Sequence, residues 1–502
     1  MSSDSNSPSR SHRFRDAQLS AKARRNFVIL SLTILSGLAY IGWVLIHANY
    51  AYWYIVALYF LAEFLALGSM LLWGTMLFRR REHSHRGLPL PDPVEPVDVL
   101  LTCCGEPFEI VEKTLRAAAA INYPDFKVCV ADDRDDPMVK ALCGELGFTH
   151  MARPTHESRK AGNLNYAFER LSAPFLLVLD ADQVPHHSIL QVMMGYFTIS
   201  RIGFVTSYQA YNVPAGDPWD NRDRVFYGIM QKARNATNSA ISCGSGVIYR
   251  RTALQEIGGF STWNLVEDVY TSLELHAKGW KSVYHAFPVT VGTAPTEISS
   301  QVKQRWQWAV DSLRILFWKC PLFTKGLTWE QRFSYLGFGY HYLLFGIAYP
   351  IFFLLPAWGL FADSFFLATS PAEFIAWRLP YLVFFLIFNR VTTEKLHRIK
   401  NFRSQAGLFP VFFSAVLNAL LSRNRVPKYS VTSKVAEQST FTERLRHICP
   451  HLFIISINVA AIIYGFCAGQ SLSAFYWVNT FWGLWACWIL TPFAWHALRK
   501  TY

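Results

Sequence analysis

The sequence predicts an α/β domain inserted into a bundle of about six membrane-spanning helices, and three observations predict it. Two apolar runs of about 20 residues lie near the N-terminus, each long enough to cross a hydrocarbon core. A central stretch is then soluble in composition, with short strand-like apolar runs alternating with helical ones. Long apolar runs return in the last third. The bulk figures agree: of 502 residues, 52% are hydrophobic and 17% charged, against about 25% charged in soluble domains. Mean hydropathy is +0.16.

In chain order, residues 1–26 form a polar tail with Arg10, Arg13, Arg15, Lys22, Arg24 and Arg25. No small-residue cleavage site follows the first apolar run, so no removable signal peptide is expected. Residues 27–74 hold the first two spans, Phe27–Ala48 and Ala51–Trp73, joined by an uncharged turn at Asn49. Residues 75–96 are a linker with Arg79, Arg80, Arg81 and the Pro-rich stretch Leu88–Pro96. Residues 97–320 form the α/β domain, in which Val97–Leu101, Lys127–Ala131 and Phe175–Leu179 read as strands ending in polar or acidic clusters. Strands alternating with helices argue for a parallel, doubly wound sheet, which binds ligands at the carboxyl ends of its strands. Residues 321–502 add four spans, Tyr340–Ala362, Phe374–Phe388, Leu452–Gly469 and Ala474–His496, the second containing Arg378. The shorter apolar run Ala406–Leu421, flanked by Arg403 and Arg423, reads as an amphipathic helix in the membrane interface.

Net charge is +13. The basic residues crowd the N-terminal tail, the segment Arg390–Lys434 and the end at Arg499 and Lys500, whereas the connections at Asn49, Asp363 and Gln470 carry none. This asymmetry places both termini and the α/β domain on the cytoplasmic side of a bilayer. Basic residues beside apolar runs, rather than on one folded face, argue against a nucleic-acid partner. The nine cysteines show no CxxC or zinc spacing. Cys103, Cys104, Cys129 and Cys143 fall in the cytosolic segment, where thiols stay reduced.

The clearest local chemistry is Leu177-Val178-Leu179-Asp180-Ala181-Asp182, an apolar strand delivering two carboxylates at its exit. Mg²⁺ is typically held by one or two carboxylates plus substrate phosphates. Ala131-Asp132-Asp133 ends a second strand, and Val266-Glu267-Asp268 opens a helical run. Each alone also reads as a solvated turn or, for Asp268, as a helix cap. Three such acidic ends in the order DD, DxD, ED within one α/β domain point to a shared site.

In that order the motifs resemble family 2 glycosyltransferases, and their spelling is similar to that of cellulose synthases. Val97–Thr102 with Glu106-Pro107 resembles the opening strand, and Lys160-Ala161-Gly162-Asn163 the K-A-G-N element. Phe226-Tyr227-Gly228 and Cys243-Gly244-Ser245 resemble the acceptor-side elements, Gln304-Arg305-Trp306-Gln307-Trp308 the Q-x-x-R-W motif, and Tyr429–Lys434 the gating loop, residues 429–434. The resemblance implies a GT-A type fold and a UDP-sugar hexosyltransferase of the plasma (inner) membrane. It implies a growing polysaccharide acceptor and leaves room for a homo-oligomer. Thr102, Glu106, Asp132 and Asp133 would hold uridine. Asp180 and Asp182 would hold Mg²⁺ or Mn²⁺, with Asp180 also on UDP, and Lys160 would meet phosphate. Asp268 would be the catalytic base. Cys243, Gln304 and Arg305 would line the substrate path, and Trp308 would stack on the acceptor sugar. Lys434 would close over the diphosphate, with Tyr429 near the base.

Four positions depart from the family pattern. Arg134 replaces the Gly after the two acids, Val266 replaces Thr, and Tyr429 replaces Phe. Gln307 stands where the family has an Arg on the diphosphate, and the neighbouring Arg305, Lys160 or Lys434 is expected to supply that charge instead. The chain ends straight after the last span, so no fused regulatory domain is expected. The leading expectation is processive, inverting synthesis of a cellulose-like β-glucan from UDP-glucose, with export through the membrane helices. Its competitors are transfer of one sugar to a lipid carrier and a non-catalytic glycan-export partner.

Overall fold

The computed structural model describes residues 10–77, 86–264, 266–295, 297–393, 398–423 and 439–499, with the side chains of 10–22 and 398 left aside. Its α/β part is an eight-stranded sheet: β1 Val97–Cys103, β2 Phe126–Asp132, β3 Thr149–Met151, β4 Phe175–Asp180, β5 Gln183–Pro185, β6 Ile202–Asn212, β7 Val247–Arg250 and β8 Lys281–Thr293. The order is β3-β2-β1-β4-β7-β6-β8-β5. β1, β2, β3 and β4 run parallel. β7 is antiparallel to both β4 and β6, and β5 is antiparallel to β8. The expectation of an all-parallel sheet is thus corrected to a mixed one. A buried apolar run signals a strand, but its direction is set by how the connection returns.

The sheet is buried on both sides, which explains why its strands read as continuous apolar runs. Every residue of β1 is buried. Val99 and Leu101 pack with Val128, Val130, Leu177 and Leu179 on one face, while Leu100 packs with Cys129, Leu176 and Val178 on the other. Register then positions chemistry: Thr102 lies beside Ala131 and Asp180, and Cys103 beside Asp132. The two flanking strands therefore present their acids at the exit of the central strand. Chain order reverses here, between β1 and β4, and ligands of open α/β sheets bind at such a point.

Among the described residues five helices are long and apolar enough to cross a membrane: Ala23–Ile46, Tyr50–Leu77, Trp329–Ala362, Pro371–Thr392 and Phe441–Cys467. Ile399–Gly407 and Phe409–Leu421 form a pair bent by 51° and would make a sixth if they act as one span. Ala474–Leu498, expected as a span, is a helix but not one of the five; its five Trp lower its mean hydropathy. Arg378, inside the fourth of these helices, donates to Glu63 of the second at 2.5 Å. Its guanidinium lies 4.8 Å from the ring centre of Tyr40, whose hydroxyl bonds that of Tyr59. The α/β domain is tied down through the loop at Asp217–Asp223. Lys400 meets Asp217 at 3.6 Å, Asn401 donates to Asp220 at 3.0 Å and Ser404 donates to the Trp219 carbonyl at 2.7 Å.

Candidate active site

A cavity of about 650 Å³ opens at the exits of β1 and β4. Thr102, Glu106, Asp133, Lys160, Asp180, Asp182, Cys243, Asp268, Gln304, Arg305 and Trp308 all line it. Eleven of the residues singled out in the sequence thus share one space. Tyr429 and Lys434 lie outside the described residues.

At the end nearest β1 the Glu106 carboxylate accepts from the Cys104 amide at 2.7 Å, and burial pushes its carboxyl up. Asp133 is held by Arg153, whose Nη2 donates at 3.1 Å. Asp132 does not line the cavity. Its carboxylate accepts from the amides of Arg134 and Asp136 at 3.0 and 2.7 Å and lies 3.2 Å from His150 Nε2. It shapes the turn that carries Asp133.

In the middle, Lys160 bridges acids. Its Nζ is 2.5 Å from Asp180 and 3.2 Å from Glu267, and donates to the Gly244 carbonyl at 2.8 Å. Burial alone would lower its pKa, but Asp180 and Glu267 raise it overall. Gly244 sits at φ +77°, and a Cβ there would lie 3.0 Å from Lys160 Nζ and 3.4 Å from Asp268 Oδ2. The glycine therefore lets backbone pass between the Lys160 ammonium and the Asp268 carboxylate. Asp268 opens the helix Asp268–Ala277 and accepts from the Val269 amide at 2.6 Å. Burial first, and then Glu267, push its carboxyl up to about 8.

At the far end, the helix Ile298–Trp318 presents a broad face. Gln304, Arg305, Gln307, Trp308, Asp311 and Ser312 all reach the cavity. At 100° per residue, Arg305 and Gln307 lie on opposite rims of that face. Arg305, the expected stand-in for the family Arg, is bound to Asp223 through two contacts of 3.1 and 2.9 Å and lies 4.8 Å from the Trp308 ring centre. Beyond Trp308 the lining passes to the membrane helices at Trp73, His341, Tyr342, Gln405 and Phe412.

Three contributors went unread in the sequence. Gln209 donates to the carbonyls of Cys243 and Ser245 at 3.0 and 2.7 Å, holding the Gly244 loop. Asp311 accepts from the Val266 amide at 2.6 Å, fixing the approach to Asp268. Asp223 holds Arg305. Each is a lone polar residue with partners far away in the chain, so no local pattern marks it.

A mixed sheet with acids aligned at its switch point, a separate acid on a helix terminus and an aromatic platform beyond it define a GT-A type glycosyltransferase. Residues 94–310 match the family model described as glycosyltransferase-like family 2, and residues 255–500 match that of cellulose synthase. The chain belongs to the cellulose-synthase-like family 2 glycosyltransferases. It is 33% identical over 374 residues to cellulose synthase 1 of Komagataeibacter xylinus, covering 70% of this chain and 24% of that one. It is 29% identical over 472 residues to the UDP-forming cellulose synthase catalytic subunit of Komagataeibacter sucrofermentans, covering 88% and 61%. Against the same subunit of Xanthomonas axonopodis pv. citri it is 29% identical over 422 residues, covering 79% and 57%. The chain therefore spans less than two thirds of these relatives. The fold also matches a mannosyltransferase of Pyrobaculum calidifontis in complex with GDP-Man and Mn²⁺, with a TM-score of 0.53 and 16% identity, covering 73% of this chain and all of that one.

Proposed function

We propose that this protein polymerises a β-glucan from UDP-glucose on the cytoplasmic face, by processive inverting transfer, and passes the product through its membrane helices. One observation carries the reading: the cavity runs without a break from the strand-end acids, past Asp268 and Trp308, to residues of the membrane helices. A transferase that released each product to solvent has no use for that continuation.

The chemistry follows from the lining. Asp268 takes the proton of the acceptor hydroxyl as its oxygen bonds to the anomeric carbon of the donor, and the bond from that carbon to the diphosphate breaks, releasing UDP. One base suffices for a single displacement. Trp308 offers the acceptor sugar a flat apolar surface, and Gln209 and Asp311 hold the loops that aim Lys160 and Asp268. Among the described residues no three His, Cys, Asp or Glu side chains converge on a ready-made metal cage. Asp180 and Asp182 supply two hard oxygen donors on one cavity wall, which fits a cation completed by substrate phosphates. They would hold Mg²⁺ or Mn²⁺, which neutralises diphosphate charge when bound.

The test is incorporation of radiolabel from UDP-glucose by the purified protein in lipid. A glucanase-sensitive polymer is expected. A label that extracts with lipid would replace this reading with single transfer to a carrier. No incorporation from any UDP-sugar would favour a non-catalytic export role.

A further inference from the structure

A nucleoside diphosphate sugar carries two negative charges into a cavity already lined by Glu106, Asp133, Asp180, Asp182 and Asp268. The cations there are largely engaged. Lys160 is shared by Asp180 and Glu267, Arg305 is bound to Asp223, and His156 lies 3.4 Å from Asp133. Gln307, where the family has a cation, is neutral. Arg134 differs from these. It lines the same cavity beside Thr102, Glu106 and Asp133, and among the described residues its guanidinium makes no hydrogen bond or ion pair.

Its position is built rather than incidental. The guanidinium lies over Gly105, in the loop that leaves β1. Gly105 has φ +98°, and a Cβ there would fall 2.1 Å from Arg134 Nε and 2.4 Å from its Cζ. The absent side chain leaves the room that Arg134 fills. The Asp132 carboxylate fixes the other end, because it accepts from the Arg134 amide at 3.0 Å. Arg134 is thus held at its backbone and laid on a glycine, with its donors uncommitted at the nucleotide end of the cavity.

We propose that Arg134 is a donor-binding residue, its guanidinium contacting the diphosphate of the nucleotide and restoring at this wall the charge that Gln307 omits. The planar fork of an Arg matches phosphate oxygens in a way a single ammonium does not. This inference rests on the donor being a UDP-sugar.

The test is calorimetric binding of UDP and of uridine to the full-length protein in detergent with Mg²⁺, for the wild type, Arg134→Gln and Arg134→Lys. Loss of a hydrogen bond to a charged group predicts UDP affinity weaker by about ten- to a hundredfold in Arg134→Gln. Arg134→Lys should recover part of it, and uridine affinity should move less than twofold. Because Arg134 is exposed, the fold should survive, which an unchanged melting temperature checks. Unchanged UDP affinity in Arg134→Gln, or an equal loss for uridine, would overturn the inference while the functional reading stood. A wild type that binds neither UDP nor uridine would overturn both.

Discussion

The proposed mechanism places its proton transfer on one carboxyl, Asp268. A base works only when deprotonated, and burial beside Glu267 has pushed this group up to about 8. Its charged form is therefore lost as pH falls through that value, far above the ordinary carboxylate range. For the free enzyme kcat/KM should climb with pH up to about 8, and a flat profile between pH 5 and about 8 would contradict the assignment. Asp268→Asn should cost about 10²–10⁴-fold in rate and leave UDP binding nearly intact. Asp182→Ala should lose activity that added Mg²⁺ or Mn²⁺ does not restore, and excess chelator should silence the wild type. Full turnover in chelator would remove the metal from the mechanism. The pair Arg305–Asp223 predicts coupling: Arg305→Ala and Asp223→Ala should each lower turnover, and the double variant should lower it no further. Independent, additive losses would show that Arg305 acts elsewhere. The acids were legible in the sequence because each ends an apolar strand or opens a helix. Asp223 was not, since its partner lies 82 positions away.

At the scale of elements, Ile298–Trp318 explains how one short motif reaches two rims at the far end of the cavity. Its helical turn sends Gln307 and Arg305 to opposite rims, so neither substitutes simply for the other. Gln307→Arg should be tolerated or should speed transfer, and its effect should not depend on Asp223. The strands β1, β2 and β4 were read nearly to their ends because burial on both faces makes them continuous apolar runs. The reversed direction of β7 was not, because apolar content carries no sign of direction. The bent pair Ile399–Gly407 and Phe409–Leu421 was read as one shorter helix, Ala406–Leu421, although Gly407 and Pro410 flank the break at Leu408. Gly407 beside it is packed hard: a Cβ would lie 2.2 Å from Phe493 Cδ2. Gly407→Ala should therefore destabilise by about 1–3 kcal/mol, the usual cost of overpacking. An unchanged melting temperature in detergent would contradict this.

For the whole molecule the question is which segments cross the bilayer. Phe441–Cys467 and Ala474–Leu498 are joined by six residues and pack along one another. If the first crosses, the second returns through the same slab. With the bent pair kept at the interface this makes six crossings, and tags at Met1 and Tyr502 should both be accessible from the cytoplasm. Opposite accessibility would require the bent pair to span. The expected sidedness rests on charge asymmetry in the sequence, whereas the cavity's passage from the α/β domain into the helices was not legible there. That passage depends on which side chains of five separate segments face inward, and a single sequence does not encode facing directly.

The ion pair between Glu63 and Arg378 has a bearing on biosynthesis. An Arg at the centre of a helix costs about 2.5–3.5 kcal/mol to insert alone. Its partner is made 315 residues earlier. If the pair forms during insertion, the N-terminal hairpin remains beside the insertion machinery while the intervening α/β domain is made, serving as the template on which a later helix is admitted. Chains severed from that hairpin should stall with Pro371–Thr392 outside the bilayer, and supplying the hairpin as a separate polypeptide should bring it in.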